Sequence, residues 1–552
     1  MLSENFVTTL GDSMRRNWQL PAFSNYGEDS ITYAQVADRI VWFQRLLRDA
    51  GVKPGDKVAI VGRNSTNWAL TYLATITYGA VIVPILSDFH SDDIHHIVNH
   101  SDSVLFLAGD VIFEKLDPER IPNVRGILSL VDFTVLHDRD GTLGNARAHA
   151  TGHYLDDLGG ALTPQNLSLA EVGNTDLAAI VYTSGTTGFS KGVMLPHNSL
   201  IANVKFAREH LPLGSGDPMV SFMPLAHSYG CAFEFLYPFS VGCHVTFLGR
   251  IPSPKVIIQA FQAIHPRLIL AVPLILEKIY RKQLKPVIDK PTMKLLLKVP
   301  LVDGAIAGKI CRKLSLVFGG NFEEMVIGGA ALNPDVEAFL KRIKFPITVG
   351  YGMTEFGPLI SYAGWKEHRP QSVGPVIDTL EVKIDSEDPR NVVGEICVRG
   401  ENAMCGYYKN EEATAQAIDK DGWIHTGDLG IIDEDGFIYI KGRSKDMILG
   451  PSGQNIYPDE IEAKLNNMPY VQESLVLDKD GKLYALVYPD LEMVDSEKLS
   501  EADVKAKMEE NRRALNQMLP AYSVVTRIDL YPEEFAKTPT KKIKRYLYRV
   551  PA

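Results

Sequence analysis

The chain has 552 residues, with 45% apolar and 22% charged side chains and a formal net charge of −10. This length exceeds one ordinary hydrophobic core, so two or more domains are expected. The acidic balance argues against a dedicated nucleic-acid binder, which is usually basic. The five cysteines lack C-x-x-C spacing and fit free thiols in a reducing compartment better than a metal cluster. The first residues lack an apolar core of signal-peptide length, and no run approaches the roughly eighteen apolar residues of a membrane span. A cytoplasmic protein is expected.

Helix and strand patterns alternate from the start. In Tyr33–Ala50, Val36, Ile40, Phe43 and Leu47 fall on one helical face, and Gly51 ends the helix. The spacing then predicts a strand at Lys57–Val61, a helix at Trp68–Tyr78 and a short buried strand at Ala80–Ile85. Further strands follow at Leu177–Thr183, Arg267–Val272 and Glu324–Ile327. Such alternation predicts a parallel sheet covered by helices. After Pro370 the texture changes to short strands at Leu380–Ile384, Gly394–Val398 and Phe437–Ile440, a small β-rich subdomain from about residue 371. The clearest boundary is Gly442-Arg-Ser-Lys445. Beyond it, a helix (Pro458–Leu465), two strands (Val471–Leu477, Leu483–Tyr488), a charged helix (Glu501–Met518) and a strand (Thr526–Leu530) make an α+β unit. The expected division is therefore a large domain over residues 1–441 and a small one over 442–552.

The segment Val181-Tyr-Thr-Ser-Gly-Thr-Thr-Gly-Phe-Ser-Lys-Gly192 is the most informative. From Thr183 on it holds five hydroxyl side chains, three glycines and Lys191, directly after an apolar strand. Glycine lets a backbone approach a polyphosphate, hydroxyls and amides donate to its oxygens, and lysine neutralises charge. The P-loop pattern fails here, because Ser190 stands where its second glycine belongs and Gly192 follows the lysine. Gly304-Ala-Ile-Ala-Gly-Lys309 is a second near-miss with the wrong spacing.

Tyr182–Gly192 does resemble the signature loop of the adenylate-forming enzymes: acyl-CoA synthetases, peptide-synthetase adenylation domains and luciferases. Further matching segments follow in that family's order. They are Pro224-Leu-Ala-His-Ser-Tyr-Gly230, Gly328-Gly-Ala-Ala-Leu332, Tyr351-Gly-Met-Thr-Glu355, Gly422-Trp-Ile-His-Thr-Gly-Asp428, Gly442-Arg-Ser-Lys-Asp446, Gly453-Gln-Asn-Ile-Tyr-Pro-Asp-Glu-Ile-Glu462 and Thr538-Pro-Thr-Lys-Lys-Ile-Lys-Arg545. The resemblance covers about nine-tenths of the chain by this alignment of motifs. It implies the adenylate-forming fold: α/β subdomains plus a small β-barrel-like subdomain in a large N-terminal domain, and a mobile α+β C-terminal domain. It also implies ATP, Mg²⁺ and coenzyme A as reactants.

By the same resemblance, Thr183, Ser184, Gly185, Thr186, Thr187, Gly188 and Lys191 would hold the ATP phosphates, with Thr186 among the catalytic residues. Glu355 would ligate Mg²⁺, and Thr354 would donate to the α-phosphate. Gly329, Ala330 and Tyr351, followed by Gly352 and Met353, would form the adenine slot, while Asp428 would accept from the ribose hydroxyls with Arg443 beside it. His227 and Gly328 would line the acyl pocket, His227 also flanking the carboxylate. Lys542 would bridge substrate carboxylate and α-phosphate, and its neighbours Lys541, Lys544 and Arg545 read as a solvated basic face. The family more often has glycine where this chain has Lys541. Lys445 would be the hinge about which the small domain rotates, carrying Gly453 to the coenzyme A path.

The acid itself is less legible. Phe222–Tyr237 is rich in aromatic and aliphatic residues, which suits either an apolar pocket or plain core. Tyr280–Phe318 resembles an addition of the long-chain synthetases; from Arg281 to Lys313 it carries nine Lys/Arg against two Asp. Both a solvated basic helix and a helix seated peripherally on an anionic bilayer fit that composition. The expectation is a fatty acid–CoA ligase for medium or long chains, monomeric or homodimeric. An aryl-acid ligase, an acyl-AMP ligase serving a carrier protein and an inactive acyl-binding homologue are the rivals.

Overall fold

The structure is a computed structural model that describes residues 1–183, 191–250, 253–280, 302–449, 454–479, 481–538 and 543–549. A seven-stranded sheet runs in the order Val135–Asp138, Gly126–Ser129, Ser103–Ala108, Lys57–Val61, Val81–Ile85, Leu177–Thr183, Lys191–Pro196. Its central strands alternate sides. Val58 and Ile60 enter one apolar cluster while Ala59 and Val61 enter another on the opposite face, the period-two partition of a sheet covered on both sides. Among the covering helices, Tyr33–Asp49 starts at Thr32, whose side chain and that of Gln35 cap each other's backbone amides. Val36, Ile40, Phe43 and Leu47 are all buried along it.

The expected parallel pairing holds in the interior of this sheet but not at its edges. The inner neighbours are parallel, but both edge strands run antiparallel. Lys191–Pro196 returns beside Leu177–Thr183 as a hairpin partner, and a short connection between neighbouring strands can only make an antiparallel pair.

A second sheet orders Pro218–Ser221, His244–Phe247, Pro21–Asn25 and Ile31–Thr32, and a third sets Leu268–Ala271, Glu324–Ile327 and Ile347–Val349 in parallel. The β-rich region is an antiparallel meander of Leu380–Asp385, Gly394–Gly400, Ile424–Ile432 and Ile438–Arg443. Its third strand contains Ile424-His-Thr-Gly-Asp428, so Asp428 stands on a strand and not in a loose turn.

The main apolar cluster takes in residues as far as Ile440. From Ile448 onward the chain builds a core of its own, with Ile461, Leu465, Val476, Val487, Met508 and Leu515 buried among the helices Pro458–Leu465 and Glu501–Gln517 and the strands Val471–Lys479, Lys482–Pro489 and Val525–Leu530. Arg545 corrects another expectation. It is no solvated base but a mostly buried ion-pair partner of Asp459 and Glu462, its Nη2 2.8 Å from Asp459 Oδ1. The helix Val302–Val317 inserts Ala307 and Leu314 into the core and leaves Lys309, Arg312 and Lys313 exposed. Among the described residues no helix is long and apolar enough to cross a membrane.

Candidate active site

The two strands that carry the hydroxyl-rich segment are paired to the rung Thr183↔Lys191. Ser184, Gly185, Thr186, Thr187 and Gly188 lie outside the described residues, as do Gly453 and Lys542. Lys191 is therefore the first residue of a strand, its backbone fixed by the sheet. A further stretch, Met404–Tyr408, is laid along the outer side of that strand. Met194 N donates to Gly406 O at 3.0 Å, Cys405 N to Met194 O at 2.9 Å and Tyr408 N to Gly192 O at 2.8 Å.

This stretch brings Tyr407 into the site. Its ring lies 4.7 Å from the Lys191 ammonium, and its hydroxyl donates to Glu355 Oε1 at 2.8 Å. Glu355 sits in a one-turn 3₁₀ helix, Thr354–Phe356, inside the small hairpin of Tyr351–Gly352 and Leu359–Ser361. That hairpin is tight: a Cβ on Gly352 would meet Pro358 O at 2.2 Å, so only glycine fits. Thr354 and Glu355 are both buried. Burial pushes the Glu355 carboxyl above its ordinary range, opposed by the Tyr407 hydroxyl and by the charges of Arg443 and Lys191.

Asp428 lies opposite Arg443 in the meander. Tyr351 donates its hydroxyl to Asp428 Oδ2 at 2.7 Å, and Arg443 Nε stands 2.9 Å from Oδ1. The bulged stretch of strand before Asp428 is built to aim it. Gly427 has φ +72°, its amide donates to Glu395 Oε1 at 2.9 Å, and Asp428 N donates to Thr426 Oγ1 at 3.0 Å. His425 Nδ1 is 2.9 Å from Glu395 Oε2 and 3.6 Å from Cys397 Sγ. Among the described residues, Glu395, Cys397 and His425 are the trio of metal-ligating side chains that lie together. Lys445 follows in the turn after Arg443, where crowding by protein atoms and the Arg443 charge hold its amine below the usual lysine range.

Lys191, Thr354, Glu355, Tyr351, Asp428 and Arg443 are thus brought into one neighbourhood. Gly329, with φ +86°, and Ala330 are exposed, while the Tyr351 ring is buried and its hydroxyl engaged by Asp428. His227 is half-buried at the start of the short helix Ser228–Cys231, its Nδ1 accepting from Tyr229 N at 3.2 Å. The Tyr229 ring packs against Gly328, where a Cβ would come within 3.0 Å of it, so the two expected acyl-pocket residues meet through a tyrosine. Most of Phe222–Tyr237 is core. Beside it, Tyr72, Val181, Leu195, Leu225, Cys231 and Gly357 line an enclosed cavity with only about 10 Å³ of free volume.

The His227 segment is held from behind by two residues that its sequence does not advertise. Asn64 Nδ2 donates to Met223 O at 2.7 Å, and Asn64 Oδ1 accepts from Leu225 N at 3.0 Å. Glu234, fully buried, accepts from Phe222 N and Met223 N through one oxygen, both at 2.9 Å. Burial raises its carboxyl well above the ordinary 4.5. A raised carboxyl favours the fold while protonated. Its contribution is complete below the unfolded value and is lost as pH rises through the folded one. The Glu234→Gln variant keeps the acceptor without the titration. It should gain stability relative to wild type as pH rises from 5 to 9, by at most about 1.4 kcal/mol per pH unit. Glu234→Ala should cost about 2–4 kcal/mol by leaving two buried amides unpaired. Urea unfolding of the three proteins across that range checks both, and a Gln variant parallel to wild type at every pH would refute the first.

Residues 12–408 match the family described as AMP-binding enzyme. The long-chain-fatty-acid–CoA ligase FadD15 of Mycobacterium bovis is 27% identical over 562 aligned positions, covering 93% of this chain and 90% of the relative. The 4-coumarate–CoA ligase-like 9 protein of Oryza sativa subsp. japonica is 30% identical over 471 positions, covering 82% of this chain and 76% of its own. Among solved structures, ATP-bound MatB from Rhodopseudomonas palustris shares the fold with a TM-score of 0.77 at 24% identity, over 98% of this chain and 97% of that one.

Proposed function

Because the chain belongs to the family of AMP-binding enzymes, we propose that it activates a medium- or long-chain fatty acid with ATP to acyl-AMP and pyrophosphate, then transfers the acyl group to coenzyme A with release of AMP. The observation that carries this is the convergence of Lys191, Glu355 and the Tyr351–Asp428–Arg443 set around one site. Joining a carboxylate to a phosphate brings two anions together and expels a third, so the site's main task is to neutralise charge. Lys191 lies against the β- and γ-phosphates with the hydroxyls and amides of residues 183–188. Asp428 takes the ribose hydroxyls, Gly329 and Ala330 border the adenine, and Thr354 donates to the α-phosphate. Glu355 suits a hard divalent cation, being a buried carboxylate with oxygen chemistry and a single hydroxyl donor on one oxygen. Mg²⁺ held there would neutralise phosphate charge.

Lys542 then bridges the substrate carboxylate and the α-phosphate during adenylation. Thioester formation requires that lysine to withdraw, and the turn carrying Lys445 is the place for rotation between residues 1–441 and 442–552, which brings Gly453 to the thiol path. The separate apolar core from Ile448 onward supports a unit able to move as a body. The name of the FadD15 relative supports an aliphatic acid; that of the rice relative keeps an aromatic acid as the rival.

The test is pyrophosphate release with ATP and Mg²⁺ from acetate to palmitate, benzoate and o-succinylbenzoate, with and without coenzyme A. Release rising with chain length, and acyl-CoA formed only when coenzyme A is present, is the expected result. Turnover of aromatic acids alone would reassign the substrate class. Adenylate without thioester would indicate a carrier protein as acceptor, and no release with any acid would leave a ligand-binding protein.

A further inference from the structure

We propose that Tyr407 is a positioning residue of the nucleotide site, which keeps the Lys191 ammonium on its ring face and the Glu355 carboxylate on its hydroxyl so that the two charges do not pair with each other. This role rests on the site being a nucleotide site. Lys191 and Glu355 belong to strands and turns that converge, and Lys191 acts on Glu355 through space. Tyr407 stands between them, its ring 4.7 Å from the ammonium and its hydroxyl 2.8 Å from Glu355 Oε1.

A direct ion pair would tie up both groups that a polyphosphate and its cation need. An aromatic face attracts an ammonium through its quadrupole, yet carries no charge to cancel it. A phenol donor stabilises a carboxylate without neutralising it. Neither contact sets an opposite formal charge against the group it holds, so both groups are kept in fixed places and left available to a ligand, the preorganisation that electrostatic catalysis needs.

The tyrosine is itself firmly held. It is buried and pairs with Val193 across an antiparallel bridge, and its amide donates to Thr414 Oγ1 at 2.9 Å. The next two residues are clamped to the far side of the sheet. Tyr408 donates its hydroxyl to Asp102 Oδ2 at 2.8 Å, and Lys409 Nζ lies 2.7 Å from the same carboxylate. Lys57 stands over the Tyr408 ring at 5.6 Å. These contacts fix the backbone from which the Tyr407 side chain projects between its two partners.

The experiment is calorimetric titration of the wild type, Tyr407→Phe and Tyr407→Leu with ATP plus Mg²⁺, ATP plus EDTA, and AMP plus EDTA. Phenylalanine keeps the face for Lys191 and removes the hydroxyl from Glu355. Its affinity for Mg²⁺-ATP should fall about tenfold, while both metal-free affinities stay within about twofold. Leucine removes both contacts, so metal-free ATP should weaken as well, by about fivefold, with AMP spared. Thermal melts of the phenylalanine variant check that the fold is retained. Wild-type affinity of the phenylalanine variant for Mg²⁺-ATP would overturn the assignment, as would equal losses for all three ligand conditions. Failure of the wild type itself to bind ATP is a separate result, which overturns the nucleotide reading and this assignment with it.

Discussion

Replacing Lys542 with alanine is expected to lower acid-dependent pyrophosphate release by about two to three orders of magnitude, the loss that follows removal of one charge aimed at a developing anion. Acyl transfer from preformed acyl-AMP to coenzyme A should survive nearly intact, because the proposed mechanism withdraws the lysine from the site for that step. The split between the two half-reactions is the diagnostic, since a folding defect would lower both. Lys541→Ala is the control. Both lysines lie outside the described residues, but the next three positions are anchored. Ile543 joins the small apolar cluster of Leu475, Leu486 and Phe535, Lys544 N donates to Ala536 O at 2.9 Å, and Arg545 is committed to Asp459 and Glu462. The chain directly after the two lysines is thereby fixed, and one of the two is the proposed bridge between the substrate carboxylate and the α-phosphate. Measuring pyrophosphate release and thioester formation separately on the two variants decides which lysine it is. Equal loss in both half-reactions for Lys542→Ala would remove its assigned role.

Much of this architecture can be read from local pattern. Strands such as Lys57–Val61 and Glu324–Ile327 and the helix Pro458–Leu465 fall where periodicity and turn residues place them, because each is fixed by its own apolar spacing. Strand direction is not written locally. The antiparallel edge formed by Lys191–Pro196 comes from the hairpin geometry around a loop whose own chemistry dominates the local pattern. The same holds for the site. Glu355, Asp428 and Arg443 sit in distinctive sequence contexts, whereas Tyr407 is one of two adjacent tyrosines in Met404-Cys-Gly-Tyr-Tyr-Lys409, with nothing in that run to single it out. It acquires its place only when Met404–Tyr408 is laid beside a strand more than two hundred positions earlier in the chain. Glu234 is a similar case: in sequence it is one acid in an aromatic run, and only the fold turns it onto the amides of Phe222 and Met223. Arg545 shows the opposite error, a basic run read as solvent-facing although one member is drawn onto the buried Glu462 and the more exposed Asp459.

For Asp428, the capacity of its carboxylate sets the expected result. Two oxygens offer about four lone-pair positions. In the structure Oδ2 accepts from Tyr351 and Oδ1 faces Arg443, which leaves one position on each oxygen, the number needed for two ribose hydroxyls. Asn at this position keeps the shape, but one oxygen becomes an amide NH₂: facing Arg443 it meets another donor, and facing Tyr351 it reverses that hydrogen bond and removes the acceptor position a ribose hydroxyl would use. Each hydrogen bond to a charged group contributes about 1.5–3 kcal/mol. Asp428→Asn should therefore weaken ATP binding by about two orders of magnitude, with a smaller loss in turnover at saturating ATP. The sharper signature is discrimination: wild type should prefer ATP over 2′-deoxy-ATP by tenfold or more, about 1.4 kcal/mol, and the Asn variant should lose most of that preference. A variant that binds ATP poorly yet still discriminates would place the ribose elsewhere. Tyr351→Phe removes one competing donor from Oδ2 and leaves the charge in place. Its discrimination should persist if, as proposed, the carboxylate and not the tyrosine reads the sugar.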